Sequence, residues 1–236
     1  MEQVRIGLML PSNNVVVEPE YYSLGIAGFT FHSDKLLLTS DTLSGLGKML
    51  KEVGESARIF ASFSPDAIAY CCLSSSLMGG RGWDKKIGER IGKLTGGIPT
   101  VVAATAILDA LGELGLREVA TFSGYGPTTN RKMTEFLAAN GVKVTATRGL
   151  DLGLKEVGRL GAEDVRREIV KSRFEGAEGL LVGSTDLEVM SAIERLERDL
   201  AVPVVSVNQA VLWSLLKLLG RETKVPGYGE LLDGSH

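Results

Sequence analysis

Two adjacent cysteines, Cys71 and Cys72, close an apolar run that begins at Asp66, and Leu73-Ser74-Ser75-Ser76 follows them. A thiol at a strand end, where the chain turns into a helix, sits where the thiolate and nucleophilic chemistry are favoured. Side chains alternate along a strand, so the two cysteines point to opposite faces and at most one enters a cleft. We assign Cys72 to the cleft and Cys71 to the core. A second group of small polar residues, Ser184-Thr185-Asp186, ends the apolar run Gly179–Gly183. Two further loops have the same character. They are Pro11-Ser12-Asn13-Asn14 and Gly124-Tyr125-Gly126-Pro127-Thr128-Thr129-Asn130. Backbone N–H groups and hydroxyls at such strand-to-helix turns can hold a carboxylate or phosphate without an arginine. Tyr125, between two glycines, can place a phenol over that anion. Asn14 and Asn130 also suit plain helix capping, His32 suits a structural histidine, and Trp83 and Trp213 suit packing.

These loops need a scaffold, and the hydrophobic pattern supplies one. Strands are predicted at Arg5–Leu10, Phe29–Leu37, Asp66–Cys71, Thr100–Ala103, Glu118–Phe122, Lys143–Arg148, Gly179–Gly183 and Val204–Val207. Helices are predicted near Thr42–Phe63, Trp83–Leu94, Ala104–Leu114, Thr128–Asn140, Ala162–Phe174, Leu187–Asp199 and Gln209–Leu218, with Gly115, Gly141 and Gly220 as C-caps. Continuous apolar strands alternating with helices indicate parallel sheets covered on both faces.

An internal repeat divides the chain. Ile98-Pro99-Thr100-Val101 answers Val202-Pro203-Val204-Val205, Asp66–Cys72 answers Glu178–Ser184, and Ile6–Leu10 answers Val119–Ser123. The expected architecture is α/β, two Rossmann-like halves with parallel sheets related by a pseudo-twofold axis. Residues 1–104 plus 209–236 form the first half and 105–208 the second. Ligands of such sheets bind beyond the carboxyl ends of the strands, and the deepest cleft lies between halves. The repeat therefore sets Cys72 opposite Ser184.

Composition narrows the partners. The 236 residues carry 26 Lys+Arg against 29 Asp+Glu, a net charge of −3, with no basic excess for nucleic acid. No apolar run reaches the roughly 18–20 residues that span a bilayer. The start, Met1-Glu2-Gln3-Val4-Arg5-Ile6, lacks a signal-peptide core, so a cytoplasmic protein is expected. Two histidines far apart and two neighbouring cysteines make neither a zinc site nor a disulfide framework. Neither a GxGxxG after a strand nor a Walker loop occurs. No cofactor and no metal are expected, and a homodimer is one assembly left open.

The ordered set Leu10-Pro11-Ser12-Asn13-Asn14 with Glu18, Phe29–Ser33, Tyr70-Cys71-Cys72-Leu73, Gly124-Tyr125, Leu181–Leu187, Pro203–Ala210 and Pro226-Gly227-Tyr228-Gly229 resembles the aspartate/glutamate racemase superfamily. Within it, the maleate isomerase and arylmalonate decarboxylase branch is the most similar. The resemblance implies cofactor-independent chemistry between two halves, with one cysteine on each side of the substrate carbon. Cys72 takes the first position and Ser184 the second, a departure that removes one thiol. A second departure puts Leu154 near where the family carries an asparagine. Serine is a weak acid–base group without an activating partner, so two-base racemisation is not implied.

The reading that follows is a cofactor-independent isomerase of a small unsaturated dicarboxylate. The resemblance makes Cys72 the nucleophile on the double bond and gives Asn14 and Tyr125 carboxylate-binding roles. Pro11, Ser12, Ser74, Ser75, Asn130 and Thr185 complete the expected substrate site, and Ser184 is the second catalytic candidate. The alternatives are an arylmalonate decarboxylase-like enzyme, with Tyr125, Ser74 and Ser75 forming a dioxyanion hole, and a carboxylate-binding non-enzyme on a racemase scaffold.

Overall fold

A computed structural model describes residues 3–174 and 176–234. All eight expected strands form: β1 (Val4–Pro11), β2 (Phe29–Leu36), β3 (Ala67–Tyr70), β4 (Thr100–Val102), β5 (Glu118–Ser123), β6 (Lys143–Gly149), β7 (Gly179–Val182) and β8 (Val204–Ser206). They make two four-stranded parallel sheets with orders β2-β1-β3-β4 and β6-β5-β7-β8. The matched sequence segments fall on equivalent strands, so the repeat is also a repeat of topology. In each sheet the two central strands are almost wholly buried and apolar. The edge strands β2 and β6 carry His32, Asp34, Lys35, Thr145 and Arg148, as suits strands that keep one side in water.

The helices are α1 (Val17–Ser23), α2 (Leu43–Phe63), α3 (Leu73–Leu77), α4 (Trp83–Leu94), α5 (Ala103–Glu113), α6 (Pro127–Ala139), α7 (Ala162–Ser172), α8 (Ile193–Leu200), α9 (Val207–Leu218) and α10 (Glu230–Asp233). Thr42 caps α2 by accepting from Gly45 N, and Ser206 and Gln209 form a capping box at α9. The expected glycine caps Gly115, Gly141 and Gly220 all have φ between 61° and 86°. Gly7 has another task. A Cβ there would lie 2.7 Å from the Phe60 ring, so only glycine lets α2 pack this closely on β1.

Three elements differ from expectation for identifiable reasons. The sequence pattern predicts no helix between Leu10 and Phe29, yet α1 forms there. Pro19 stands in the first turn, where its missing N–H is no loss, and Asn14 Oδ1 accepts from Val16 N and Val17 N at 3.1 Å each. The short α3 follows Cys72 directly. The helix expected from Leu187 instead begins as a 3₁₀ turn at Met190–Ala192 and becomes α8 only at Ile193. Val189 N and Met190 N are taken by the Glu20 carboxylate of the other half, each at 2.8 Å.

The main core runs from one sheet to the other through α5 and α9, which pack side by side. Helix α9 touches β3 and β4 as well as β8, while the segment after it returns to α8, where Glu230 N donates to the Glu197 carboxylate. A second core lies under α2 and α4 on the outer face of the first sheet. Cys71 belongs to the first cluster and Cys72 to the second, the opposite faces that strand alternation predicts. Among the described residues, no helix is long and apolar enough to cross a membrane.

Candidate functional site

Cys72 lies two residues past the end of β3 and is the N-cap of α3, so its thiol lies at the carboxyl edge of the first sheet. There it shares a small cavity with Ser74, Tyr125, Ser184, Thr185 and Asp186. Pro11 and Asn13 border the cavity from the loop after β1, Leu38 and Asp41 from the loop after β2. Leu152, Leu154 and Val157, from the loop after β6, form an apolar wall. Six strand ends from both sheets therefore meet at one point. The enclosed space is about 30 Å³, roughly one water molecule's share of liquid volume. A far larger groove of about 830 Å³, between α4, α5 and α9, is lined by no cysteine and lies apart from this chemistry.

The electrostatics differ from the sequence expectation in one respect. Helix α3 has only five residues, and burial outweighs whatever its N-terminus offers. Burial pushes the Cys72 thiol up, the Ser75 and Ser74 hydrogen bonds pull it back in part, and the nearby Asp186 charge adds to the rise. The resting group is a thiol. Its Sγ lies 3.6 Å from Ser74 Oγ. Burial and the Asp186 charge also raise the Tyr125 phenol, and the nearby Ser184 and Ser74 hydroxyls pull it back in part. Ser184 Oγ donates to Asp186 Oδ1 at 2.6 Å, and Asn13 Nδ2 donates to Asp186 Oδ2 at 3.2 Å. Burial raises the Asp186 carboxyl against these bonds.

The other expected residues stand around this centre in different ways. Thr185 lines the cavity, and Asn14 Nδ2 donates to its carbonyl at 3.0 Å and to its Oγ1 at 3.3 Å. With Oδ1 capping α1, the Asn14 amide is fully engaged in tying the two halves together. Ser12 Oγ accepts from Leu38 N at 3.0 Å, which fixes the loop after β2. Ser75 Oγ bonds Tyr70 Oη at 2.6 Å, and Ser75 is also the leading hydrogen-bond partner that favours the Cys72 thiolate against burial. Asn130 Nδ2 donates to Tyr125 O at 2.8 Å, and its Oδ1 accepts from Ser123 Oγ at 2.7 Å, so it holds the Tyr125 turn. His32 is exposed and bonds Thr30 Oγ1 at 3.1 Å. Among the described residues no group of three or more His, Cys, Asp or Glu side chains could hold a metal.

Residues 6–232 match the arylmalonate decarboxylase family. The chain belongs to that family. Within it, a maleate isomerase from Geobacillus stearothermophilus is 30% identical, the match covering 98% of each chain. An arylmalonate decarboxylase from Bordetella bronchiseptica is 30% identical over 87% of each. A cysteine-to-serine mutant of the Nocardia farcinica maleate cis-trans isomerase, with a covalently bound succinylcysteine intermediate, superposes with a TM-score of 0.92. It is 27% identical, and the match covers 99% of both chains.

One buried group of this family member lies behind the site and escaped the sequence reading. Glu20 on α1 accepts from Val189 N, Met190 N and Asn208 Nδ2, the last at 2.7 Å. Asn208 Nδ2 also reaches Thr185 O at 3.0 Å, so Glu20 steadies the loop that carries Ser184 and Asp186. Burial raises the Glu20 carboxyl to about 7 against these bonds. The folded state then binds the proton more tightly than the unfolded chain. Its contribution to stability is complete below the unfolded value of about 4.5 and is lost as pH rises toward 7. Between pH 5 and 8, the native protein is expected to lose roughly 2–3 kcal/mol relative to Glu20→Gln in urea unfolding. Parallel pH dependence in the two proteins would contradict a buried, proton-linked carboxyl. Asn13 and Asp186 are placed in the cleft loops by the sequence but receive no role of their own from it.

Proposed function

We propose that this protein is a cofactor-independent cis–trans isomerase of a small unsaturated dicarboxylate, with Cys72 as the nucleophile. The observation that carries the reading is a single buried thiol in one small cavity with hydroxyls of the opposite half. Sγ adds to one carbon of the cis double bond and the neighbouring carbon takes up a proton. The former double bond is then a rotatable single bond. Rotation, loss of that proton and cleavage of the C–S bond release the trans isomer and restore the cysteine. A succinylcysteine is the adduct that maleate would form by this route, and the related Nocardia enzyme was captured with one. Ser74, Tyr125 and Thr185 supply hydroxyls to the carboxylates, while burial keeps competing water out.

The apolar wall of Leu152, Leu154 and Val157 beside these hydroxyls favours a second reading. A malonate could place its departing carboxylate against the wall, and Cys72 would protonate the resulting enediolate.

Proton NMR in heavy water with maleate, citraconate and phenylmalonate separates the readings. The expected result is conversion of a cis diacid to its trans isomer without loss of carbon dioxide. Decarboxylation of phenylmalonate alone would favour the second reading. Inertness of a folded protein toward all three would favour a carboxylate-binding non-enzyme.

A further inference from the structure

Cis–trans isomerisation by thiol addition needs a proton donor and acceptor at the carbon that sulfur does not attack. This chain has no thiol for that task at position 184. A serine hydroxyl alone cannot exchange a carbon-bound proton at useful rates near neutral pH. We propose that Asp186 is the proton acceptor and donor of this second face, acting through Ser184, so that a carboxylate–hydroxyl pair replaces the second thiol. The inference rests on the isomerase reading above.

Three observations support it. Ser184 Oγ already donates to Asp186 Oδ1 at 2.6 Å, so the hydroxyl can lose its proton to the carboxylate as it takes another. Asn13 anchors the other carboxylate oxygen at 3.2 Å, which fixes Oδ1 toward the hydroxyl. Finally, hydrogen-bonding groups run across the cavity from the thiol to the carboxylate. Cys72 Sγ contacts Ser74 Oγ, the Tyr125 side chain lines the same cavity beside Ser74 and Ser184, and Ser184 meets Asp186. The titratable side chains around this line are Asp41, Cys72, Tyr125 and Asp186. Lysine, arginine and histidine are absent from the cavity lining, so Asp186 is the ordinary proton acceptor nearest Ser184.

The proton count closes without an outside reactant. At rest Cys72 holds one proton and Asp186 is a carboxylate. The proton passes along the hydroxyls to Asp186, which leaves a thiolate beside a carboxylic acid. The thiolate forms the C–S bond, and the π pair moves to the adjacent carbon. That carbon takes the Ser184 proton as Asp186 replaces it. After rotation, Ser184 removes the carbon proton and passes its own to Asp186. The C–S bond breaks, its pair returns to sulfur, and the proton on Asp186 passes back along the hydroxyls to restore the thiol and the carboxylate.

A purely structural Asp186 would matter equally whatever stands at position 184. The relay predicts otherwise. With maleate as probe, Asp186→Asn is expected to lower kcat on the order of 10²-fold while KM changes by less than a few-fold. In a Ser184→Cys background the same substitution is expected to cost less than about threefold, because the new thiol carries the proton itself. Ser184→Ala should match Asp186→Asn, and their double variant should lose no more than either, which keeps the test open if Asp186→Asn fails to fold. Equal losses in both backgrounds, an effect confined to KM, or additive losses in the double variant would overturn the relay while leaving a Cys72-dependent isomerase standing. A folded wild-type protein that leaves both maleate and citraconate unchanged would overturn the isomerase reading and the relay together.

Discussion

Cys72→Ser is expected to lower turnover of the cis diacid by about 10⁴-fold or more, whereas Cys71→Ala leaves kcat within a few-fold. Removing a nucleophile abolishes the covalent route outright, and a serine at the same place has neither the polarisability nor the acidity to replace it. Cys72 lies in the cavity beside Ser74, and Asp186 is close enough to influence its ionisation. Cys71 is equally buried but packs into the core between the sheets, where burial likewise raises its thiol. Its replacement should lower stability by ~1 kcal/mol through the lost sulfur contacts and leave the chemistry intact. Initial rates by NMR and urea unfolding of both variants decide the matter. Comparable loss of activity in two folded proteins would remove Cys72 from its proposed role.

Tyr125→Phe is expected to reduce kcat/KM on the order of 10²–10³ without changing the unfolding midpoint. Deleting one preorganised donor to a developing oxyanion commonly costs that much. The phenol lines the cavity with Ser74 of one half and Ser184 of the other, and both hydroxyls favour its ionised form against burial. The turn that presents it does not depend on its hydroxyl. Tyr125 N donates to Ser123 Oγ at 3.1 Å, and its carbonyl accepts from Asn130. A phenylalanine should therefore occupy the same space. Wild-type rates with maleate would show that carboxylate binding relies on Ser74 and Thr185 instead.

The two readings of the activity differ in what the Leu152–Val157 wall does. In an isomerase it excludes water from the thioether while the central bond rotates. In a decarboxylase it destabilises a carboxylate set against it. Leu154 lines the cavity, and its carbonyl accepts from Asn13 Nδ2 at 3.3 Å, so the backbone there anchors the loop after β6.

What could be read along the chain was periodic or local. Apolar runs of strand length, the repeat of three strands, and glycines at helix ends depend on neighbouring residues, and these features of the fold formed as expected. The meeting of Cys72 with Ser184 was also legible, because equivalent strands of a repeated sheet end at equivalent points. Tertiary structure alone decided which polar groups serve the cavity and which are already engaged. Asn14, an expected carboxylate ligand, uses its whole amide on α1 and Thr185, 171 positions away. Glu20 bonds backbone N–H groups 169 and 170 positions on, and those bonds delay the start of α8. Asp186 acquired its character from burial beside a serine and an asparagine that come from different halves. A side chain's polarity is written in its residue type, but its partners and its proton affinity depend on desolvation and distance, which exist only once the two sheets are closed against each other.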